Sequence, residues 1–143
     1  MPGIDIEYIP VRLGTIGFLD ESGLEGVVSL NSLADERDKL VMRAFSGEVA
    51  THMARFVKGD RSSIPSIYNI VEELAERSGL QIVNVQIYGS GSLLRGDINF
   101  KGHEKSFALQ GYRASDCVAL AAFYDAPILV ESALLTREEN PSK

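Results

Sequence analysis

Alternating apolar and polar positions in the first third of the chain predict three strands. Residues 4–19 alternate loosely and predict one strand, interrupted at Pro10 or Gly14. A turn signal at 20–23 leads into the apolar run 27–30, so we expect the first two strands to form a hairpin. The charged segment 34–39 predicts a loop, and residues 40–45 predict the third strand.

Apolar residues then recur at helical spacing and predict two helices. The first begins at the N-cap Ser46 and ends at Gly59. Its apolar stripe is formed by Val49, Met53, Phe56 and Val57. The second opens at Pro65, because a missing N–H costs nothing there, and it ends at Gly79. We expect this second helix to bury the face formed by Ile67, Ile70, Val71 and Leu74.

The second half of the chain predicts three more strands, a helix and a final strand. The strands at 82–87, 93–100 and 106–109 are joined by tight turns and predict a meander. Residues 118–123 are apolar on every side, which predicts a fully buried helix that ends at Ala126 and Pro127. Residues 128–130 predict an interior strand, and we expect a short last helix from Ser132.

The order of these elements defines the expected fold class. It predicts an α+β domain with a mostly antiparallel sheet and three to four helices, one of them fully buried. The chain of 143 residues is long enough for one domain with a substantial core. We expect a single domain over residues 1–136 and a polar C-terminal tail over 137–143.

Composition and charge narrow the class of protein. No apolar run is long enough to span a bilayer and no signal peptide is visible, so we expect a cytoplasmic protein without a membrane partner. The single cysteine, Cys117, excludes an internal disulfide framework. The net charge of −6 argues against general binding to a phosphate backbone but leaves room for a local basic patch. The sequence contains no P-loop and no H-E-x-x-H motif.

The strongest candidate site lies at the start of the predicted buried helix. Arg113 suits bidentate contact with a phosphate, and a carboxylate such as Asp116 can bind Mg²⁺ or orient a water. We expect Ser115 to be the N-cap, and Glu48, at the head of the first helix, offers a second carboxylate. The structural alternative is an ion pair between Arg113 and Asp116 that fixes the entry into the helix.

Other polar residues have simpler interpretations. We expect Asp97 on the outer face of the meander, His52 at the edge of an apolar stripe and His103 in a solvated turn. Cys117 is interpreted as a small buried hydrophobe, with a reactive thiol as the alternative.

Residues 113–128 resemble the R-P-S-D-A-I-A-L-A-L-x-x-x-A-P-I signature of the bifunctional nuclease family. The positions that match in residue type and spacing are Arg113, Ser115, Asp116, Ala119, Leu120, Ala121, Ala126, Pro127 and Ile128. Glu48 and Pro65 also match positions of this family, and the resemblance covers the chain from Ile9 to Leu135.

The chain departs from the family pattern at two places. Ala114 replaces the proline between Arg113 and Ser115, and residues 67–69 read Ile-Tyr-Asn where the family typically has Thr-His-Asp. The second change removes a histidine that is suited to moving a proton near neutral pH and a carboxylate that is suited to binding a cation.

The resemblance implies a compact domain that self-associates and hydrolyses both RNA and DNA. Our leading hypothesis is therefore a nuclease that binds nucleic acid and uses Mg²⁺ or Mn²⁺. Arg113 contacts the phosphate in this hypothesis, and Asp116 and Glu48 are the catalytic carboxylates that bind the metal. The alternative is a non-catalytic binding or scaffold domain that forms homo-oligomers, with a dimer favoured, since self-pairing is one way to cover sheet edges.

Overall fold

The computed structural model describes residues 6–137, in which one eight-stranded sheet carries three α-helices. The strands are β1 (Tyr8–Phe18), β2 (Glu25–Ser32), β3 (Asp38–Ser46), β4 (Gln81–Ser90), β5 (Leu93–Lys101), β6 (Ser106–Arg113), β7 (Ile128–Glu131) and β8 (Thr136–Arg137). The helices are α1 (Gly47–Val57), α2 (Ile67–Arg77) and α3 (Ala114–Tyr124). The expected α+β class with a mostly antiparallel sheet is confirmed.

Strand β7 joins the two halves of the sheet, whose order is β6-β5-β4-β7-β1-β2-β3-β8. It runs antiparallel to β1 and parallel to β4. Ile128 is therefore the register partner of both Val11 and Val85, and all three side chains are buried. This pairing places the centre of the core where the predicted hairpin and the predicted meander meet.

Helix α3 packs beside α1 on the sheet, and its predicted burial is confirmed. Eight of its residues are buried, which are Ala114, Ser115, Cys117, Val118, Ala119, Leu120, Ala121 and Phe123. Gly96 of β5 lets the helix approach closely, because a Cβ at this position would lie 2.7 Å from Cys117 Sγ. The helix ends in the left-handed residue Asp125, one residue before the predicted Ala126.

The predictions for α1 hold with one exception. Ser46 is the N-cap, and its Oγ accepts a hydrogen bond of 3.2 Å from the N–H of Glu48. Val49, Met53 and Phe56 are buried, whereas Val57, which we expected in the same stripe, is 55% exposed. Val57 is the last residue of the helix.

The predicted buried face of α2 was wrong, because most of it faces solvent. Ile67, Ile70 and Leu74 are 62%, 54% and 61% exposed. The fourth residue, Val71, packs against the core only partly, while Tyr68 is buried. The side of α2 that points inward is therefore the one carrying Tyr68.

An aromatic cluster explains this orientation of α2. The Tyr68 ring lies 5.1 Å from Phe56, 5.3 Å from His52 and 6.2 Å from Phe123, measured between ring centroids. Edge and stacked contacts between aromatic rings stabilise beyond the area that they bury. The cluster outweighs the burial of three aliphatic side chains on the opposite face.

Two predicted helix starts are also corrected. The structure places the N-cap of α2 at Ser66 rather than starting the helix at Pro65, and the Ser66 Oγ accepts a hydrogen bond from the N–H of Tyr68. The N-cap of α3 is Arg113 and not Ser115, and no side chain caps this helix. Strand β6 runs directly into α3, so Ser115 already lies inside the first turn, where it is 7% exposed.

The remaining differences lie near the ends of elements. Residues Ser132–Leu134 form a single 3₁₀ turn instead of a last helix, and β3 begins at Asp38, inside the predicted loop. Arg137 pairs with Asp38 through a contact of 3.0 Å, while residues 138–143 of the predicted tail lie outside the described residues. The first two residues of the predicted first strand, 4 and 5, also lie outside them.

Candidate functional site

The N-terminal ends of three helices bring the predicted site residues near one another. Burial raises the pKa of the Tyr68 hydroxyl to about 12, and the negative charges of Asp116 and Glu48 add to this increase. The three side chains therefore share one electrostatic neighbourhood. The Tyr68 hydroxyl is a neutral hydrogen-bond donor at neutral pH.

Arg113 and Asp116 form the expected ion pair at the start of α3. The distance from Arg113 Nε to Asp116 Oδ2 is 2.9 Å, and the two side chains are 70% and 41% exposed. An exposed pair of this kind contributes only about 0–1 kcal/mol. Within residues 6–137, the two terminal nitrogens of Arg113 have no protein partner, so they are available for bidentate contact with an anion.

Glu48 and His52 extend this neighbourhood along α1. His52 Nε2 lies 3.8 Å from Glu48 Oε2, and His52 Nδ1 lies 2.9 Å from Arg55 Nη1. Because arginine is always a donor, Nδ1 is the acceptor of that bond and Nε2 carries the proton of the neutral ring. The side chain of His52 is only 16% exposed. It is half-buried and stacks on Phe56, which confirms its predicted position at the edge of the apolar stripe.

Two carboxylates of this neighbourhood are candidate ligands for a divalent cation that also binds the substrate. Within the described residues, no three His, Cys, Asp or Glu side chains come together as they would around a metal ion. Asp116 and Glu48 provide two carboxylates that are both accessible to solvent. Mg²⁺ is commonly bound by one or two carboxylates together with phosphate oxygens and water, so Asp116 and Glu48 are the residues of this neighbourhood that could hold such an ion.

A basic hollow beside Arg113 contains two arginines that the sequence analysis did not identify. Arg43 of β3 and Arg95 of β5 line the hollow together with Arg113 and the first residues of α3. These arginines are far apart in the sequence, and no local motif links them. The pairing of β5 with β6 brings Arg95 and Arg113 together, and Arg43 of β3 lines the same hollow as the first residues of α3.

Three other candidates from the sequence have structural explanations. Asp97 Oδ1 accepts hydrogen bonds from the Tyr88 hydroxyl (2.7 Å) and the Gly111 N–H (3.0 Å), which ties it to neighbouring strands. His103 lines a separate shallow hollow at the end of α2. Cys117 is buried, and burial raises the pKa of its thiol to about 12, which favours the interpretation as a small hydrophobe.

Comparison with known proteins does not assign the chain to a family. No family model matches the chain, and no curated protein matches it. Over residues 6–137, no helix combines the length and the apolar character needed to cross a bilayer.

Proposed function

We propose that this chain is a metal-dependent nuclease that hydrolyses phosphodiester bonds of RNA or DNA at the start of α3. The observation that carries the proposal is the exposed pair of Arg113 and Asp116, with Glu48 and Tyr68 in the same neighbourhood. The resemblance of residues 113–128 to the bifunctional nuclease signature supports it. The single cysteine is consistent with a cytoplasmic setting, which is part of the proposal.

The ion pair can open at little cost when a substrate arrives. An exposed pair contributes at most about 1 kcal/mol, so substrate contacts easily replace it. The Arg113 guanidinium then binds phosphate oxygens, and the Asp116 carboxylate becomes free to bind a cation or orient a water. A Mg²⁺ or Mn²⁺ ion bound by Asp116 and Glu48 would supply Lewis-acid polarisation of a phosphoryl oxygen.

Tyr68 and His52 contribute hydrogen-bonding groups at the edge of this site. The Tyr68 hydroxyl keeps its proton at neutral pH, so it is suited to donating a hydrogen bond to a developing negative charge. The N–H at His52 Nε2 faces Glu48 from 3.8 Å, which is too long for a hydrogen bond, so it adds only a donor close to that carboxylate.

A cleavage assay tests the proposal. Labelled single-stranded RNA and DNA are incubated with the protein in Mg²⁺, Mn²⁺ or EDTA, beside an Asp116→Ala variant from the same preparation. We expect cleavage that needs the metal and is lost in the variant. Cleavage of neither nucleic acid above the level of Asp116→Ala would contradict the proposal.

The exposed apolar face of α2 favours a second candidate, a homo-oligomeric binding or scaffold domain. Ile64, Ile67, Ile70 and Leu74 are each more than half exposed, and the helical ones lie three and four residues apart on one side of α2. An apolar stripe of this kind, left uncovered by residues 6–137, often marks a contact with another protein. In this candidate the Arg113–Asp116 pair only fixes the start of α3.

Sedimentation velocity tests the second candidate. We expect the wild-type protein to sediment as a dimer and Ile70→Asp to sediment as a folded monomer, because a charge at the centre of the stripe opposes burial. A monomeric mass for the wild type at micromolar concentration would contradict it.

A further inference from the structure

The basic hollow concentrates positive charge in an acidic protein. It is lined by Met42, Arg43, Phe45, Ser92, Leu93, Leu94, Arg95, Arg113, Ala114 and Ser115. Three of these residues are arginines and none is acidic, although the chain as a whole carries a net charge of −6. A local cluster of positive charge on an acidic protein favours binding of an anion in this hollow rather than over the whole surface.

Two of the arginines face each other across the sheet. Arg95 and Arg113 are register partners on the antiparallel strands β5 and β6. Like charges directly opposite each other destabilise a sheet. Asp116 offsets the charge of Arg113, but among residues 6–137 Arg43 and Arg95 have neither an ion pair nor a side-chain hydrogen bond. The fold therefore keeps two unpaired guanidinium groups beside a third.

The start of α3 offers further unused donors to the same hollow. Among the described residues no side chain caps this helix, so the backbone N–H groups of its first turn lack a capping acceptor there. Ser115 lines the hollow and is 7% exposed, and its hydroxyl makes no hydrogen bond with any described residue. The buried side-chain oxygens without a partner among the described residues are those of Asn31 and Tyr124, so the Ser115 Oγ is open to solvent and is free to bond a ligand that enters the hollow.

The wall of the hollow formed by β3 contains a strained residue, Ala44. Ala44 has a φ of 62°, and the pairing of β2 with β3 shifts by one residue there, which is a β-bulge. Arg43 and Phe45, the residues on either side of the bulge at Ala44, both line the hollow. A left-handed alanine costs about 1–2 kcal/mol, and strain of this kind is concentrated at functional sites.

We propose that the basic hollow binds a backbone phosphate of a nucleic-acid strand, and that Arg43 and Arg95 position the strand so that its neighbouring phosphodiester lies at Arg113 and Asp116. This inference deepens the proposed function, because that function identifies nucleic acid as the source of the phosphate. Arg43 and Arg95 are positioning residues. The guanidinium groups, the Ser115 hydroxyl and the free N–H groups of α3 are all donors, which suits the acceptor oxygens of a phosphate.

Binding measured without catalysis tests the inference. A short fluorescein-labelled single-stranded RNA is titrated with protein in EDTA, and its fluorescence anisotropy is recorded. We expect Arg43→Gln and Arg95→Gln each to weaken binding about tenfold, and Arg95→Lys to retain most of the affinity. Each glutamine variant should also reduce the salt slope of binding by about one.

Arg37→Gln is the matched control for charge. It removes one exposed arginine that pairs with Asp35, about 20 Å from Arg43 along β3 at roughly 3.3 Å per residue. We expect it to bind RNA within about twofold of the wild type. Thermal unfolding of each variant verifies that the fold is intact. Arg95→Gln should be at least as stable as the wild type, because it removes a like-charge pair.

The outcomes separate this inference from the proposed function. RNA that binds through Arg43 and Arg95 but is never cut supports the inference and contradicts the nuclease proposal. Cleavage whose KM and kcat are unchanged in Arg43→Gln and Arg95→Gln overturns the inference and leaves the nuclease proposal standing. Inorganic phosphate that displaces the labelled RNA as effectively as unlabelled RNA does, in the same anisotropy experiment, would overturn the assignment to a nucleic-acid strand.

Discussion

Arg95 and Arg113 lie directly opposite each other on β5 and β6, so two guanidinium groups meet where the sheet leads into α3. The only carboxylate that pairs with either of them, within the part of the chain described, is that of Asp116. An arrangement that served stability alone would place a carboxylate opposite one of the arginines. This arrangement instead keeps positive charge available beside the carboxylates of the candidate site.

The contact between Gly96 and α3 predicts a specific packing defect. Gly96→Ala places a methyl group 2.7 Å from Cys117 Sγ and 3.0 Å from Ile87 Cδ1, so α3 must shift away from β5. We expect the free energy of unfolding to fall by about 1–3 kcal/mol, measured by urea denaturation. The loss should be smaller when Gly96→Ala is made in a Cys117→Ala background, because the sulfur is then absent.

Gly17→Ala is the control for this prediction. A Cβ at Gly17 would lie 4.0 Å from Val27 Cγ1, which is ordinary contact, and Gly17 also lies in a strand. We expect Gly17→Ala to change stability by less than about 1 kcal/mol. Equal losses from the two alanine variants, or additivity of Gly96→Ala and Cys117→Ala, would show that the close approach of α3 is not the cause.

The thiol of Cys117 should be unreactive in the folded protein. Its side chain is fully buried and its pKa is raised to about 12 by burial and by the charges of Asp116 and Asp97. The thiolate fraction near neutral pH is therefore very small. We expect Ellman's reagent to react with Cys117 only as fast as the protein unfolds. Ser62→Cys in a Cys117→Ala background, with its exposed loop thiol, should react at once. Fast reaction of native Cys117 would contradict this account.

The end of α3 contains backbone strain that a single substitution relieves. Asp125 has φ 57° and ψ 41°, and its negative charge lies at the C-terminal end of the helix dipole. Asp125→Gly should raise the free energy of unfolding by about 1 kcal/mol, since glycine adopts this conformation without a steric cost. Asp125→Asn, which removes only the charge, should give a smaller gain. A lower melting temperature for Asp125→Gly would refute the prediction.

The raised pKa of Tyr68 predicts how the stability of the protein falls at alkaline pH. Its pKa in the folded protein, about 12, lies above the ordinary value of 10.0, so folding opposes the loss of this proton. The corresponding contribution to stability is complete below about pH 10 and is lost as the pH rises toward about 12. Urea unfolding of Tyr68→Phe should therefore be less sensitive to pH in this window than that of the wild type. Tyr112→Phe, which changes an exposed tyrosine, should keep the wild-type profile.

Much of the fold follows from local patterns in the sequence. The all-round apolar character of 118–123 identifies the buried helix, and alternation identifies the strands of the meander. The orientation of α2 does not follow from its pattern, because Ile67, Ile70 and Leu74 form a proper apolar stripe. Its inward side is decided by the ring of Tyr68, which fits an aromatic cluster contributed by two other helices.

The residues of the candidate site likewise fall into those that the sequence predicts and those that it does not. Arg113, Asp116 and Glu48 are predictable, because their positions at helix starts are local features of the sequence. Arg43 and Arg95 are not, since their relation to Arg113 depends on strand register and on a bulge at Ala44. The N-cap of α3 was misplaced for a related reason. Strand β6 continues without a loop into the helix, so no turn residue marks the boundary at Ala114.

The most direct test of the central claim compares two aspartate variants in one cleavage assay with Mg²⁺. Asp116→Asn keeps the size of the side chain but removes the charge beside Arg113, and Asp125→Asn makes the same change at the other end of α3. We expect kcat/KM on single-stranded RNA to fall at least about 100-fold for Asp116→Asn and to stay within about twofold for Asp125→Asn. Equal activity of the two variants, or no cleavage by the wild-type protein, would contradict the account.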